Sequence, residues 1–354
     1  MEKVLAEIEI FKRGAPFLKL DRPCTVGDGI KRIGDDEAGL LVELFAETAA
    51  DRELLKFVPA SGAASRMFEA LLQFNRENDR IVMGDVMARA ESGDAAAQAL
   101  LKFMQGIRKF AFFTELQKVM TANGVDVKSL IGSGEFKNII DSLLTPKGLN
   151  YAELPKGLLK FHQYREGSRT AFAEHLVEGA NYTKGRGGKS HLHFTVSAEH
   201  QSGFSKLVQE IQTRYEKAYE VNFKISFSVQ DKSTDTIAVD LENQPFRETD
   251  GTLLFRPGGH GALIENLNRL SADIIFIKNI DNVVPDRLKG ETFTWKRVLC
   301  GQLIKIQQKI FFYLRKLVEK SDSEELLNEI FAFIKIELSV FPPKDFALQS
   351  HQEK

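Results

Sequence analysis

The sequence has little of what covalent cross-linking or lipid anchoring requires. Its 354 residues contain two cysteines, Cys24 and Cys300, too few for a disulfide framework and too far apart for a Cys-x-x-Cys redox or metal site. A reducing cytoplasm is therefore the expected setting. One tryptophan and six tyrosines offer no aromatic belt for a membrane interface. No apolar run approaches the roughly 20 residues that span a bilayer, and the opening stretch is broken by Glu2, Lys3, Glu7, Glu9, Lys12 and Arg13, unlike the apolar core of a signal peptide. Charge of one sign is missing too: 48 Lys+Arg face 49 Asp+Glu, a net charge of -1, which provides no global field to attract nucleic acid or anionic lipid. Neither nucleic acid nor membrane is an expected partner. Phenylalanine is the abundant aromatic, at 27 residues, and reads as core filler. The length suits about two domains.

Hydrophobic periodicity divides the chain into an N-terminal helical segment (1–53), an α/β domain (54–290) carrying a helical insertion at about 79–146, and a C-terminal helical segment (291–354). Leu54 to Pro59 reads as a buried strand, closed by a small-residue loop and followed by helical spacing from Ser65. Within the insertion, Asp94 and Thr114 are expected N-caps and Gly124 a stop. Strand-like runs recur at His191–Ser197, Phe223–Val229, Thr236–Val239, Thr252–Phe255 and Asp273–Ile277. Helical stretches lie between them at Arg169–Glu178, Glu199–Tyr219 and Gly261–Leu270. That alternation predicts a layered α/β domain with a largely parallel sheet, and Asp250-Gly251 adds a hairpin signal, hence some antiparallel pairing. Beyond Thr292 the pattern is helical, with an expected cap at Asp322, a stop at Pro342-Pro343 and a loose polar tail, Lys344–Lys354.

Five segments could carry chemistry. Ser61-Gly62-Ala63-Ala64-Ser65-Arg66 stands where a strand hands over to a helix, so its small residues either let backbone N–H groups approach a phosphate or simply permit a close turn. Lys156, between Pro155 and Gly157, is either a phosphate ligand held at a bend or a surface lysine. Gly258-Gly259-His260-Gly261 allows main-chain contact with a base or phosphate, with a satisfied buried histidine as the alternative. Asn279, Asp281 and Asn282 follow a core strand, where open α/β sheets collect ligands and where an Asx turn would also serve. His191, His193, Glu199 and His200 suit substrate-lining or packing roles better than zinc, since no third ligand is set by spacing. Gly185-Arg186-Gly187-Gly188-Lys189-Ser190 imitates a P-loop, but Thr183 stands where the first glycine belongs and the segment precedes a strand. It reads as a flexible basic loop.

Taken in order, these blocks resemble the nucleotidyltransferases that make nucleotide sugars, in particular the UDP-sugar pyrophosphorylase group. The turn ending at Arg66 is similar to that group's Gly-rich turn, Leu154-Pro155-Lys156-Gly157 to its Pro-Lys element, Pro257 to Gly261 to its Pro-Pro-Gly-His-Gly, and Asn279 to Asn282 to its Asn-x-Asp-Asn. Gly62 is the turn's only glycine and Ser65 stands where that group has threonine. The wording around the blocks also resembles the uncharacterised bacterial family called domain of unknown function 4301. The resemblance implies a GT-A/Rossmann-like three-layer α/β fold with a mostly parallel, mixed sheet. It implies transfer of a uridylyl group from a nucleoside triphosphate to a sugar 1-phosphate, with release of pyrophosphate. Arg66 and Lys156 would be catalytic, Asp281 would hold Mg²⁺, and Ser61, Gly62, Ala63, Ala64, Ser65, Glu199, His200, Gly258, Gly259 and His260 would contact nucleotide or substrate. A non-catalytic nucleotide-sugar binder of the same fold is the alternative. A helical interaction protein using Leu303, Ile306, Ile310, Phe311 and Leu314 is a third, and the oligomeric state is left open.

Overall fold

The computed structural model describes residues 2–14, 16–319 and 323–341. The chain divides into two units, one of Met1–Ala15 with Ala49–Gly290 and one of Pro16–Thr48 with Glu291–Lys354. Along it, α1 (Glu2–Arg13) is followed by the two-residue rungs β1 (Thr25–Val26) and β2 (Gly29–Ile30) and by α2 (Asp35–Ala49). The first buried strand, β3 (Leu54–Pro59), then opens the α/β framework.

Six helices come next: α3 (Glu69–Glu77), α4 (Met83–Glu91), α5 (Ala95–Gly106), α6 (Phe113–Ala122), α7 (Val127–Ser133) and α8 (Lys137–Leu144). They bury Leu71, Phe74, Leu100, Leu116, Phe136 and Ile140 in a core of their own. Asp94 caps α5 as expected, its carboxylate accepting from the Ala97 N–H. Thr114 is no cap, because α6 has already begun at Phe113, preceded by Phe112. Gly124 ends that helix in the left-handed conformation, φ +76°.

The chain returns through an antiparallel hairpin that periodicity did not reveal, β4 (Lys160–Tyr164) with β5 (Gly167–Thr170). It then builds α9 (Ala171–Tyr182), β6 (Lys189–Thr195), α10 (Gln201–Tyr219), β7 (Asn222–Ser228), the rungs β8 (Thr236–Ile237) and β9 (Phe255–Arg256), α11 (Ile264–Asn268) and β10 (Ile274–Ile277). The central sheet has the order β10-β3-β6-β7, and every pairing is parallel. The expected mixed sheet is corrected on this point. The antiparallel pairs β4–β5 and β8–β9 stand outside it, and the Asp250-Gly251 turn closes a separate bridge between Arg247 and Leu253. No helix among the described residues is long and apolar enough to cross a membrane.

Alternation along the strands sends side chains to two different helical layers. On one face Phe194 meets Phe172 of α9, with ring centroids 4.4 Å apart, and Phe227 meets Phe204 of α10 at 6.0 Å. On the other, Leu55 and Phe57 pack with Leu263 and Leu267 at α11. In the second unit, α12 (Lys289–Val318), which begins at the end of the first, is followed by α13 (Glu324–Ile336). Leu303, Phe311 and Leu314 are exposed. The N-cap of α13 is Ser323, whose side chain accepts from the Leu326 N–H. The expected cap Asp322, the stop at Pro342-Pro343 and the tail Lys344–Lys354 lie outside the described residues.

The helix α9 is buried at every residue from Ala171 to Gly179 although it carries two glutamates one turn apart. Buried charge persists only where it is paired. Glu178 lies between Lys56 of β3, at 2.8 Å, and Lys278, at 2.6 Å, and accepts from the Tyr182 hydroxyl at 2.9 Å. Glu174 pairs with Lys289 at 2.6 Å and His162 at 2.9 Å. Burial works against the Glu178 carboxylate, but Lys56 and Lys278 outweigh it and hold its pKa well below the usual range. Glu178→Ala strands two ammonium groups and is expected to cost about 3–5 kcal/mol. The double change Lys56→Met with Glu178→Leu is expected to cost markedly less. Urea unfolding followed by tryptophan fluorescence and circular dichroism checks both.

Candidate functional site at the carboxyl edge of the sheet

Two segments far apart in sequence are laid side by side just past β3. The Ala60 N–H donates to the Thr195 carbonyl at 2.8 Å, which anchors the start of the turn to the neighbouring strand. The turn then pairs with Leu154-Pro155-Lys156. Ala63 bridges Pro155, the Lys156 N–H donates to the Gly62 carbonyl at 3.1 Å, and the Ala64 N–H to the Leu154 carbonyl at 3.4 Å. The whole helical insertion is the excursion between these two segments. Pro155 is extended, and Lys156–Leu158 forms one 3-10 turn. Gly157 is needed there, since a Cβ would sit 2.7 Å from the buried Phe204 ring.

The third wall comes from β10. Its continuation keeps to β3, with the Lys278 N–H donating to the Phe57 carbonyl at 3.1 Å and the Ile280 N–H to the Pro59 carbonyl at 3.2 Å. Behind it, His175 Nε2 donates to the Ile280 carbonyl at 3.1 Å. Burial, reinforced by Lys56, depresses the His175 pKa far below its ordinary value, so the ring is neutral. Asp281 is thereby presented to Lys156, whose ammonium donates to its carboxylate at 2.6 Å. Both groups keep partial exposure, 26% and 36%.

These segments enclose a cavity of about 380 Å³ lined by Ser61, Gly62, Lys156, Gln230, Gly258, Gly259, Asn279 and Asp281. From β3 the chain adds β6 and β7 on one side, then returns to add β10 on the other. The cavity lies beyond the carboxyl ends of β3 and β10, where the strand order reverses, and open parallel sheets leave a crevice at such a point. Gly258 is required by packing, since a Cβ would approach the Thr234 carbonyl to 2.8 Å. Gly62 and Gly259 are different: neither has a left-handed φ, and a Cβ on either would meet no atom within 4 Å. A side chain on either would enter open space, and both residues line the cavity.

The remaining candidates are placed elsewhere. Ser65 and Arg66 begin the 3-10 turn Ser65–Phe68 and line a separate groove with Glu69, Gln73, Arg76 and Glu77. Arg66 therefore does not line the cavity that holds Lys156 and Asp281. Ala64 is buried in the core of the insertion, and Ala63 is engaged with Pro155. Glu199 and His200 follow the carboxyl end of β6, where the Ser197 hydroxyl meets His200 Nδ1 at 2.7 Å, and they do not line the cavity. His260 opens the 3-10 turn His260–Leu263, and its side chain lies outside the described residues. The P-loop imitation leads into the amino end of β6, the opposite edge of the sheet. It is no free loop, since Gly185 and Arg186 are hydrogen-bonded to Lys189 and Arg52. Gln230 was missed, although a polar residue just past a strand is a usable signal. His175 and Glu178 were missed as a pair, although two ionisable residues inside the apolar stretch Ala171–Gly179 mark them.

Fold and cavity together define an α/β protein with a polar crevice at the carboxyl edge of a four-stranded parallel sheet. The chain belongs to the family described as domain of unknown function (DUF4301), whose model matches residues 1–354. No curated protein and no solved structure matches it.

His191 and His193 do share one face of β6, as their spacing predicts. Their nitrogens are engaged by hydroxyls: His193 Nδ1 with Ser226 and Nε2 with Ser228, each at 2.8 Å, and His191 Nε2 with Ser226 at 3.1 Å. Asn266 extends the chain by donating to Ser228 at 2.7 Å. The His193 ring stacks on Phe57, with centroids 5.8 Å apart, and among the described residues no three His, Cys, Asp or Glu side chains gather as metal ligands. Burial, with His191 beside it, lowers the His193 pKa to about 4. The unfolded chain takes up a proton near pH 6.5 that folded His193 refuses until about pH 4. Its contribution is complete above pH 6.5 and is lost as pH falls through that window. A urea midpoint measured against pH is expected to fall less steeply there for His193→Gln than for the parent, and equal slopes would contradict the assignment.

Proposed function

We propose that this protein transfers a nucleotidyl group, uridylyl by the resemblance of its motifs, from a nucleoside triphosphate to a sugar 1-phosphate at the cavity beyond β3 and β10. The carrying observation is that Ser61-Gly62, Lys156, Gly258-Gly259 and Asn279–Asp281, drawn from distant stretches, line one cavity with a lysine–aspartate pair in it. The parallel order and its reversal support reading the sheet as a GT-A/Rossmann-like framework. In the proposed step an oxygen of the sugar phosphate attacks the α-phosphorus, the bond from that phosphorus to the bridging oxygen breaks, and pyrophosphate leaves with the electron pair. Such transfer depends on positioning and charge neutralisation more than on covalent help from the protein.

Lys156 would leave Asp281 for the phosphates and offset their charge. Gly62 and Gly259 leave room for the polyanion against the backbone. Magnesium accepts one or two carboxylates and completes its shell with phosphate and water. Asp281 supplies one carboxylate, which fits an ion arriving with the triphosphate, and the described residues contain no three-donor cage. Bound there, the ion would screen the two phosphates from each other. Arg66, lining a different groove, has no part in this reading. The mutual pairing of Lys156 with Asp281, with no arginine among the described residues that line the cavity, favours a second reading: a nucleotide-sugar binder without transfer chemistry.

Incubation with Mg²⁺, each common triphosphate and a panel of sugar 1-phosphates is expected to release pyrophosphate. Lys156→Ala and Asp281→Asn are each expected to lower turnover by about 10²–10³-fold. Gly62→Val is expected to abolish binding while changing stability by no more than about 0.5 kcal/mol, since its side chain enters open space. Thermal stabilisation by UTP without pyrophosphate release would establish the binder instead, and neither response would sink both readings.

A further inference from the structure

A second cavity, of about 440 Å³, lies where the hairpin strand β4 meets the helical insertion, and none of its lining belongs to the site at the sheet edge. Its walls are aromatic. Phe110 stacks on Phe112 with centroids 5.1 Å apart, Phe112 meets the edge of Tyr151 at 5.5 Å, and Phe103 lies 5.5 Å from Phe110. Phe161 completes the lining on the β4 side. The chamber is open to solvent, because Phe110 is 41% exposed. An apolar space of this size, with rings already held in place, fits a ligand body that gains by leaving water.

The charged groups of the lining are of one sign, and its other polar group, the Tyr151 hydroxyl, accepts from the Lys160 N–H at 3.3 Å. Lys102 and Lys160 both contribute, no carboxylate does, and among the described residues neither ammonium has a salt-bridge partner. Two unpaired cations beside an aromatic chamber complement an anionic head on an apolar body. We propose that this cavity binds a small amphipathic carboxylate, its planar apolar body seated among the phenylalanine rings and its carboxylate met by Lys102 and Lys160. The assignment does not depend on nucleotidyl transfer.

The test uses the full chain and 2-naphthoate as the probe, with 2-naphthalenemethanol as its neutral counterpart, both titrated by calorimetry. Saturable binding of naphthoate, tighter than that of the alcohol, is expected. The double change Lys102→Gln with Lys160→Gln is expected to weaken naphthoate about tenfold and to leave the alcohol unchanged. Phe110→Ala, at a position exposed enough to spare the fold, is expected to weaken both. Saturating UTP is expected to leave naphthoate binding intact. Absence of saturable binding, equal affinity for acid and alcohol, or displacement by UTP would overturn the proposal.

Discussion

Glu178 is the constraint on which the crevice depends. Its two oxygens hold Lys56 on β3 and Lys278 at the end of β10, and those are the strands whose carboxyl ends bound the cavity. A carboxylate with 0% side-chain exposure is costly unless both of its oxygens are engaged. The same requirement that keeps the charge tolerable therefore ties α9 to both strands, whose spacing is set by their own parallel ladder. One turn earlier on the helix, Glu174 does the same for Lys289, His162 and the Tyr164 hydroxyl. The helix that covers the sheet is also the piece that clamps it.

On this base the cavity is made of backbone more than of side chains. The turn after β3 is held by Thr195 on one flank and by the Pro155-Lys156 segment on the other, and the β10 continuation is held by Phe57, Pro59 and His175. A wall whose N–H and C=O groups are already engaged keeps its shape while empty. The long excursion through the insertion is compatible with this because loop-closure entropy rises slowly with length and because the excursion has its own apolar core. Gly157 permits the final close approach, under the Phe204 ring.

Much of this was legible in the residues. Apolar runs ending in small or polar residues located all four strands of the central sheet within two positions, because each strand buries at least one face and carries apolar residues there. The motif blocks at Ser61-Gly62, Lys156, Gly258-Gly259 and Asp281 were legible because glycine, proline and small polar residues punctuate the turns that follow strands, although of the glycines in these blocks only Gly157 and Gly258 stand where a Cβ would clash. The hairpin at Lys160–Thr170 was not legible, since His162, Gln163, Arg165 and Glu166 give no alternation, and that hairpin is shaped by the buried Glu174 that its side chains satisfy. Nor was the placement of Arg66, which turns on how a single 3-10 turn is oriented.

The sequence by itself determined the α/β class, the run of helices between β3 and the Lys156 segment and the turns that come to line one cavity, because periodicity and turn residues act over short range. Only the tertiary structure decided that the sheet is wholly parallel, that Lys156 meets Asp281 while Arg66 faces another groove, and that Lys56 is an ion-paired core residue in an apolar strand. Each of these rests on partners tens to hundreds of residues apart, or on the direction of one side chain, and no local pattern carries that information.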